Sequence, residues 1–231
     1  MLHKNIPAYN IQNILENFVS FAWDCGFTLG LRVVKIDELD KISLDDITIK
    51  TSFLESRFIF GSKILYTSYE ESLEKIRVED KRFFLQAKLF ERKDRLLKHP
   101  LSMQVNLKDG YGGIREANML WWIANVIYGV KKTKDLIGKK FTNAEYKSYK
   151  NSINFVFLVR NTLHLVAKKK LDIITYDILP ELSSRLNFSN EFIFMKTLFQ
   201  DLHNIHNFSA NIIKKIFNTI SFKTENIIEL K

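Results

Sequence analysis

The sequence has 231 residues and is 46% hydrophobic, with only three prolines and eight glycines. This length suits one large or two small domains, and the composition argues against a disordered or all-β chain and favours a helix-rich protein with a real core. The formal net charge of +9 is compatible with binding to nucleotide phosphates, nucleic acid or an acidic partner protein.

Three simple features bear on where the chain is found. Cys25 is the single cysteine, so an internal disulfide is excluded and a reducing compartment is expected. No basic-then-apolar leader follows Met1, and the longest apolar runs, 119–130 and 153–159, are too short to span a bilayer. We therefore expect a cytoplasmic protein without a membrane segment, in which Cys25 is a small buried residue.

The first predicted elements are a helix and a strand. Apolar residues repeat at helical spacing over 10–25, which predicts an amphipathic helix that ends at Gly26. Aromatic and β-branched residues over 27–35 favour a strand. A lone strand must pair with something, so either further strands exist or the chain is part of something larger.

Further helices are predicted in the first half of the chain. Ser43 with Asp46 three residues later resembles a capping box, and the helix that it opens is predicted to reach Phe60, with 61–62 as its stop. The charged stretch 68–97 contains neither glycine nor proline. It therefore predicts an exposed helix pair.

The rest of the chain is predicted to form a helical bundle. The apolar run 119–130 contains two tryptophans and predicts a helix that ends at Gly129, and Thr142 with Glu145 forms a second capping box. The helices that follow are predicted at 142–169, 180–186 and 190–219. The expected fold class is mainly α, with a helical bundle preceded by a helix-strand-helix segment.

A glycine-rich loop over 106–116 is the clearest candidate site. If a helix starts at Gly112 or Gly113, its free N–H groups favour a bound anion, such as a nucleotide phosphate. Lys108 and Arg115 would add positive charge, and Glu116 could bind a metal or orient Arg115. The candidate binding residues are Lys108, Gly110, Gly112, Gly113, Arg115 and Glu116. The alternative is a tight turn before a buried helix.

Positive charge is concentrated over 131–170, which carries eleven lysines or arginines against Asp135 and Glu145. This basic block could attract phosphates, nucleic acid or an acidic protein, although lysine-rich faces are often simply solvated. Nucleic-acid binding is the weakest of these alternatives, because no helix-turn-helix or aromatic-basic platform is readable.

The histidines suggest no strong metal site. His203 and His206 are three residues apart and could share a helix face, but a third ligand with suitable spacing is missing. His164, on an otherwise apolar helix, is expected to be a hydrogen-bonded core residue or a support for Arg160.

Two segments of the chain resemble the bacterial PII uridylyltransferases. The first is DITIKTSFLESR, which is similar to the family's Asp-x-x-x-x-Thr-Ser-x-Leu-Glu-x-Arg helix through Asp46, Thr51, Glu55 and Arg57. The second is the glycine-rich loop, NLKDGYGGIRE, which resembles the family's Asn-Ile-Lys-x-x-Pro-Gly-Gly-Leu-Arg-Asp. Glutamine synthetase adenylyltransferases carry a related Gly-Gly-Ile-Arg-Glu version.

Two later motifs extend the resemblance. Residues 141–145 are similar to the family's Leu-Thr-x-x-Glu, and RNTLHL, with Arg160 and His164, is similar to its Arg-x-x-Leu-His-Leu. The order of the motifs is preserved, and the resemblance covers roughly 5–218. It implies the C-terminal part of a polymerase-β-like nucleotidyltransferase domain over 1–61, a helical uridylyltransferase-associated domain over 62–220 and a tail over 221–231.

The resemblance implies transfer of UMP from UTP to a tyrosine of the nitrogen-signalling protein PII, with Mg²⁺ in the intact enzyme. The family's Gly-Ser loop with an Asp-x-Asp pair is not found in this sequence, and Thr28, Leu31 and Tyr111 depart from its other motifs. We therefore expect inactivity in isolation, no cofactor supported by this chain alone, and a missing catalytic segment or subunit. The alternative is a non-catalytic helical module that binds PII or another partner through the basic block.

Overall fold

The computed structural model describes residues 1–3, 11–102 and 104–228. Its elements are almost all helices, which confirms the mainly α fold class. The chain divides into two compact units, Met1–Glu79 and Asp80–Lys231. The predicted boundary at Gly61 concerns family domains and stays a prediction. Of the predicted tail, 221–228 continues the last helix and 229–231 lies outside the described residues.

The first unit is built from short elements around a small core. In chain order they are β1 (Leu2–His3), α1 (Ile11–Asp24), β2 (Val34–Lys35), α2 (Leu39–Asp45), α3 (Ile47–Leu54) and α4 (Lys63–Val78). The core contains the buried residues Val34, Leu39, Tyr69 and Ile76. Helix α1 confirms the first predicted helix, although residue 10 lies outside the described part. Cys25 is exposed, so its predicted burial is wrong.

The predicted strand over 27–35 is wrong for most of its length. Of residues 27–35, only Val34–Lys35 forms a strand, in parallel with Leu2–His3. A segment forms a strand only where its backbone N–H and C=O groups make hydrogen bonds with a neighbouring strand. The stretch before Val34 has the composition of a strand but no strand partner among the described residues, and Phe27 is 64% exposed.

Helix α3 is shorter than predicted at both ends. Its N-cap is Asp46, whose side chain accepts from Thr48 N at 2.7 Å, whereas Ser43 lies inside α2. At the other end, the Phe53 carbonyl accepts from the hydroxyls of Ser56 and Tyr69 at 2.7 and 3.0 Å. These side chains satisfy a carbonyl that helix ends leave unpaired, so the helix ends at Leu54 rather than at Phe60.

The pair 61–62 begins a helix instead of stopping one. Ser62 is the N-cap of α4, and its hydroxyl accepts from Leu65 N at 3.3 Å. The predicted helix pair over 68–97 is confirmed as two helices, the second capped by Asp80. Its predicted exposure is only partly right, because Ile76 and Phe84 are each 1% exposed.

The second unit is a helical bundle. Its helices are α5 (Lys81–Lys98), α6 (Ile114–Tyr128), α7 (Asn143–Ala167), α8 (Leu179–Arg185) and α9 (Glu191–Ile228). Gly129 ends α6 with φ of +68°, and Thr142 with Glu145 forms the predicted capping box at the start of α7. These helices confirm the predicted order and confirm the predicted ends to within a few residues, except that α9 continues to Ile228.

The core of the second unit lies where α9 packs against α6 and α7. Its fully buried members include Leu120, Ile123, Val159, Leu163, Leu198 and Leu202. Each fully buried leucine or isoleucine contributes roughly 1.5–3 kcal/mol of transfer free energy. This core fixes the end of the glycine-rich loop, because the loop leads directly into α6. Among the described helices, none combines the length and the apolar character needed to cross a membrane.

Candidate functional site

The start of the glycine-rich loop is fixed by side-chain and backbone hydrogen bonds. Asn106 Oδ1 accepts from the N–H groups of Lys108 and Asp109 at 3.0 and 2.8 Å, which forms an Asx turn. Leu107 N donates to the carbonyl of Asp172 at 2.8 Å. The loop is therefore attached to the segment that follows α7.

The end of the loop uses its own backbone groups. Four N–H groups at the start of α6 donate to loop carbonyls at 2.9–3.0 Å. The donors are those of Gly113, Ile114, Arg115 and Glu116, and the acceptors are the carbonyls of Gly110, Leu107, Lys108 and Gly113, respectively. The prediction of free N–H groups for an anion is thus wrong, because the loop has already satisfied them.

The three glycines are required by close packing. Gly112 has φ of +67°, and a β-carbon on it would lie 1.9 Å from the carbonyl oxygen of Leu202 in α9. A β-carbon on Gly110 would lie 2.5 Å from the Asn106 carbonyl oxygen. One on Gly113 would lie 2.7 Å from that of Lys108. The alternative of a tight turn before a buried helix therefore accounts for the glycine pattern.

Glu116 is fully buried and binds three groups. Arg92 Nε lies 2.7 Å from Oε1, and His206 Nδ1 and Gly112 N lie 2.8 and 2.7 Å from Oε2. Because the carboxylate accepts, His206 Nδ1 is assigned as a donor. Burial by itself raises the pKa of Glu116, but the His206 hydrogen bond and the Arg92 charge outweigh it and hold the pKa below its usual value.

Glu116 does not orient Arg115, so that part of the prediction is wrong. Arg115 Nε instead lies 3.6 Å from Asp109 Oδ1. Both oxygens of Glu116 are taken by protein donors, and no cluster of three or more potential metal-ligating side chains occurs in the described part of the chain. Glu116 therefore has no free oxygen to offer Mg²⁺, whose ligands are oxygens.

The two histidines of α9 contact the loop through Tyr111. The rings of His206 and Tyr111 stack with centroids 3.8 Å apart. His203 Nδ1 lies 3.1 Å from the Tyr111 hydroxyl, and its Nε2 lies 2.8 Å from Asn207 Nδ2. Tyr111, which departs from the family's proline, thus connects the loop to α9.

Asp172 brings the loop together with the second family motif, and sequence reasoning missed it. Arg160 Nε donates to Oδ1 at 2.6 Å, His164 Nε2 lies 3.6 Å from the same oxygen, and Lys108 Nζ lies 3.9 Å from Oδ2. His164 Nε2 is buried without a hydrogen-bond partner among the described residues, so it lies near the carboxylate without being bound to it, and its predicted support of Arg160 stays a prediction. The one available signal was an acidic residue two positions after the basic run 168–170.

Three cations of the site reach solvent. The exposed fractions of the side chains are 39% for Lys108, 40% for Arg115 and 25% for Arg160. A fourth, Arg95, donates to the Asp109 carbonyl at 3.4 Å, and burial lowers its pKa. The loop therefore presents two positive charges, Lys108 and Arg115, on a backbone that its own hydrogen bonds hold in place, and Arg95 and Arg160 add two more from α5 and α7.

The residues of the other family motif lie in the first unit. Asp46 caps α3, and the Thr51 hydroxyl, which is buried, donates to the Ile47 carbonyl at 2.8 Å. Glu55 is the C-cap and Arg57 lies beyond the helix end. Of these four motif residues only Thr51 lies within α3, because the helix begins after Asp46 and ends before Glu55.

The basic block over 131–170 is spread over a long distance. Lys147 and Lys150 lie near the start of α7, whereas Lys168 is its C-cap. At 1.5 Å per residue, the two ends of this helix are roughly 35 Å apart. The charges therefore do not form one compact patch.

Comparison with known proteins shows one family. Residues 83–213 match the family described as GlnD PII-uridylyltransferase, a range that includes the loop, Asp172 and His206. Similar proteins named bifunctional uridylyltransferase/uridylyl-removing enzyme include those of Rhodopseudomonas palustris (32% identity over 184 residues, 78% of this chain and 20% of the relative) and Azospirillum brasilense (32% over 193 residues, 81% and 20%). That of Haemophilus influenzae strain PittEE is 28% identical over 239 residues, 99% of this chain and 28% of the relative. The chain thus spans between a fifth and somewhat over a quarter of the length of these curated relatives.

Proposed function

The chain belongs to the PII-uridylyltransferase family, and on that premise we propose that it forms part of a nucleotidyltransferase that moves UMP from UTP to a PII-type regulatory protein in nitrogen signalling. Lys108 and Arg115 are assigned to the phosphates of the nucleotide or to its acceptor. The observation that carries this proposal is that both side chains are partly exposed on a loop whose backbone is locked.

A locked cationic loop suits phosphate binding for two physical reasons. Hydrogen bonds from charged donors to phosphate oxygens are about twice as strong as neutral ones. A backbone that is already ordered also loses little entropy when the ligand arrives. Gly110, Gly112, Gly113 and Glu116 then act by shaping the loop rather than by touching the ligand.

The role of the chain in the reaction is binding and positioning. Phosphoryl-type transfer is generally driven by metal ions that neutralise the phosphates. Mg²⁺ is the ion that the resemblance implies for an intact enzyme, but Glu116, Asp109 and Asp172 are each paired with protein cations. We therefore expect this chain to bind nucleotide without transferring UMP by itself. As part of this proposal, we place the protein in the cytoplasm, which is a reducing compartment.

Titration calorimetry with UTP at low salt tests the assignment. The Lys108→Ala/Arg115→Ala variant is expected to bind UTP about tenfold or more weakly than the parent, because two charged donors are lost. The control is Lys147→Ala/Lys150→Ala, which removes the same charge from an exposed face of α7. Parent-like affinity in the Lys108→Ala/Arg115→Ala variant would rule out the site, and no binding by the parent would rule out nucleotide contact.

A second candidate function is a binding module for a PII-type protein. It is favoured by Leu158 and Leu165, which lie seven residues apart on α7 and are 53% and 71% exposed. Exposed apolar residues on one helix face suit a protein partner. A Leu158→Ser/Leu165→Ser variant should lose binding to a PII protein in a pull-down while it keeps the affinity of the parent for UTP. Retained capture would contradict this role.

A further inference from the structure

Asp172 holds Arg160 by one side of its guanidinium group only. Arg160 Nε lies 2.6 Å from Asp172 Oδ1, whereas Nη1 and Nη2 make no hydrogen bond to any of the residues that the structure describes. The side chain is 25% exposed. Its outer edge therefore carries donors that are oriented by Asp172 but not used by it.

Lys108 approaches the same carboxylate without being held firmly. Its Nζ lies 3.9 Å from Asp172 Oδ2, which is beyond hydrogen-bonding distance. Lysine has a flexible stem and three donors on a rotatable ammonium group. A small rotation would therefore let Lys108 reach a ligand that sits on the outer edge of Arg160.

The position and the charge of Asp172 are both fixed by its surroundings. Its carbonyl accepts from Leu107 N, one residue before Lys108 in the loop. Burial by itself raises the pKa of Asp172, but the hydrogen bond and charge of Arg160 and the charge of Lys108 outweigh it, so the pKa is lowered. The carboxylate is consequently ionised at neutral pH and accepts from Arg160.

We propose that Asp172 is a positioning residue that holds Arg160 for a phosphate-bearing ligand, and that Arg160 and Lys108 together bind one phosphate group of that ligand. This inference rests on the proposed nucleotide-binding function and assigns the polyphosphate part of a nucleotide to these two cations. A guanidinium group held at Nε presents its remaining donors to two oxygens of one phosphate. Holding the side chain in advance removes part of the entropy cost of binding.

Two variants of Asp172 separate positioning from simple charge. Asp172→Asn and Asp172→Ala remove the same negative charge, but only asparagine keeps an oxygen that accepts from Arg160 Nε. Binding of inorganic triphosphate to the full chain is measured by calorimetry at low salt. The Asp172→Ala variant is expected to bind about fivefold more weakly than Asp172→Asn. Equal affinities, or tighter binding by Asp172→Ala, overturn the proposal and leave Asp172 as a counter-charge.

A second variant tests the geometry of the arginine. Arg160→Lys keeps the charge, but one ammonium group cannot both hold Asp172 and bridge two phosphate oxygens. Its affinity for triphosphate is expected to fall about fivefold, since the loss of one paired contact is of this order. Parent-like affinity overturns the proposal. Circular dichroism checks that each variant is folded, and Lys147→Ala/Lys150→Ala is again the control.

The outcomes distinguish this inference from the proposed function. If Lys108→Ala/Arg115→Ala weakens UTP binding while Asp172→Asn and Asp172→Ala bind triphosphate alike, the proposed function stands and the role of Asp172 fails. If the parent chain binds UTP but not triphosphate, this inference fails and the proposed function stands, and if it binds neither, both fail.

Discussion

Gly112 lies so close to α9 that a β-carbon on it would be 1.9 Å from the carbonyl oxygen of Leu202. Its φ of +67° also lies in the left-handed region, which other residues rarely adopt. Glycine at this position therefore allows the loop to pack directly against the backbone of a core helix. This contact couples the conformation of the loop to the packing of the bundle. A change in the packing of Gly112 against α9 would therefore also shift Lys108 and Arg115.

Gly112→Ala is the first test of this coupling. The variant should lower the free energy of unfolding by about 3 kcal/mol, because it adds a backbone clash to an unfavourable φ. The control is Gly138→Ala, since Gly138 has φ of +77° but no atom within 4 Å of an added β-carbon. In urea unfolding, the control should lose only about 1 kcal/mol of unfolding free energy. Similar losses in the two variants would show that the contact with Leu202 is unimportant.

Glu116→Gln tests the buried ion pair. The amide keeps the shape of the side chain but leaves Arg92 without its counter-charge and His206 with a weaker acceptor, which should cost about 3 kcal/mol of unfolding free energy. Asp94→Asn is the matched control, because Asp94 pairs with Lys98 on the exposed face of α5. An exposed pair of this kind contributes less than about 1 kcal/mol. Equal effects in urea unfolding would contradict a structural role for Glu116.

The same residue predicts an acid dependence of stability. The pKa of Glu116 is lowered from 4.5 in the folded chain, so the unfolded chain takes up its proton first as the pH falls. Its contribution to stability is fully present above that value and is lost as the pH drops below it towards the folded pKa. The unfolding free energies of the parent and Glu116→Gln, measured from about pH 7 to pH 3, should therefore converge below pH 4.5. A constant difference would contradict the lowered pKa.

Helix ends in the bundle could be predicted because their signals are local. The capping box of Thr142 and Glu145 satisfies backbone groups within one turn, and Gly129 needs only its own positive φ. The end of α3 was missed in part because the carbonyl of Phe53, besides the nearby Ser56 hydroxyl, accepts from Tyr69 of another helix. Local patterns could not indicate that contact.

The sequence identified several residues of the candidate site but not the contacts between them. Lys108 and Arg115 were identified from their place beside the glycines, and both are partly exposed cations. The partners of Glu116 come from α5 and α9, and Asp172 follows α7, so each is far from the loop in sequence. Such pairings depend on helix packing, which a single sequence does not specify.

Tyr149 should make the protein sensitive to alkali. The side chain is 3% exposed and its ring stacks on that of Phe208 with centroids 4.2 Å apart. Burial raises the pKa of Tyr149 above its ordinary value of 10.0, because the ionised phenol would lose its hydration in the core. The unfolded chain therefore releases this proton first as the pH rises.

The contribution of Tyr149 is fully present below pH 10 and is lost as the pH rises from there towards the folded pKa. In Tyr149→Phe this linked loss is removed, so its unfolding free energy should fall less steeply above pH 10 than that of the parent. Tyr176→Phe is the control, because it removes an exposed phenol without changing the core. If the parent and Tyr149→Phe lose stability at the same rate in alkali, the phenol is not kept neutral by burial between α7 and α9.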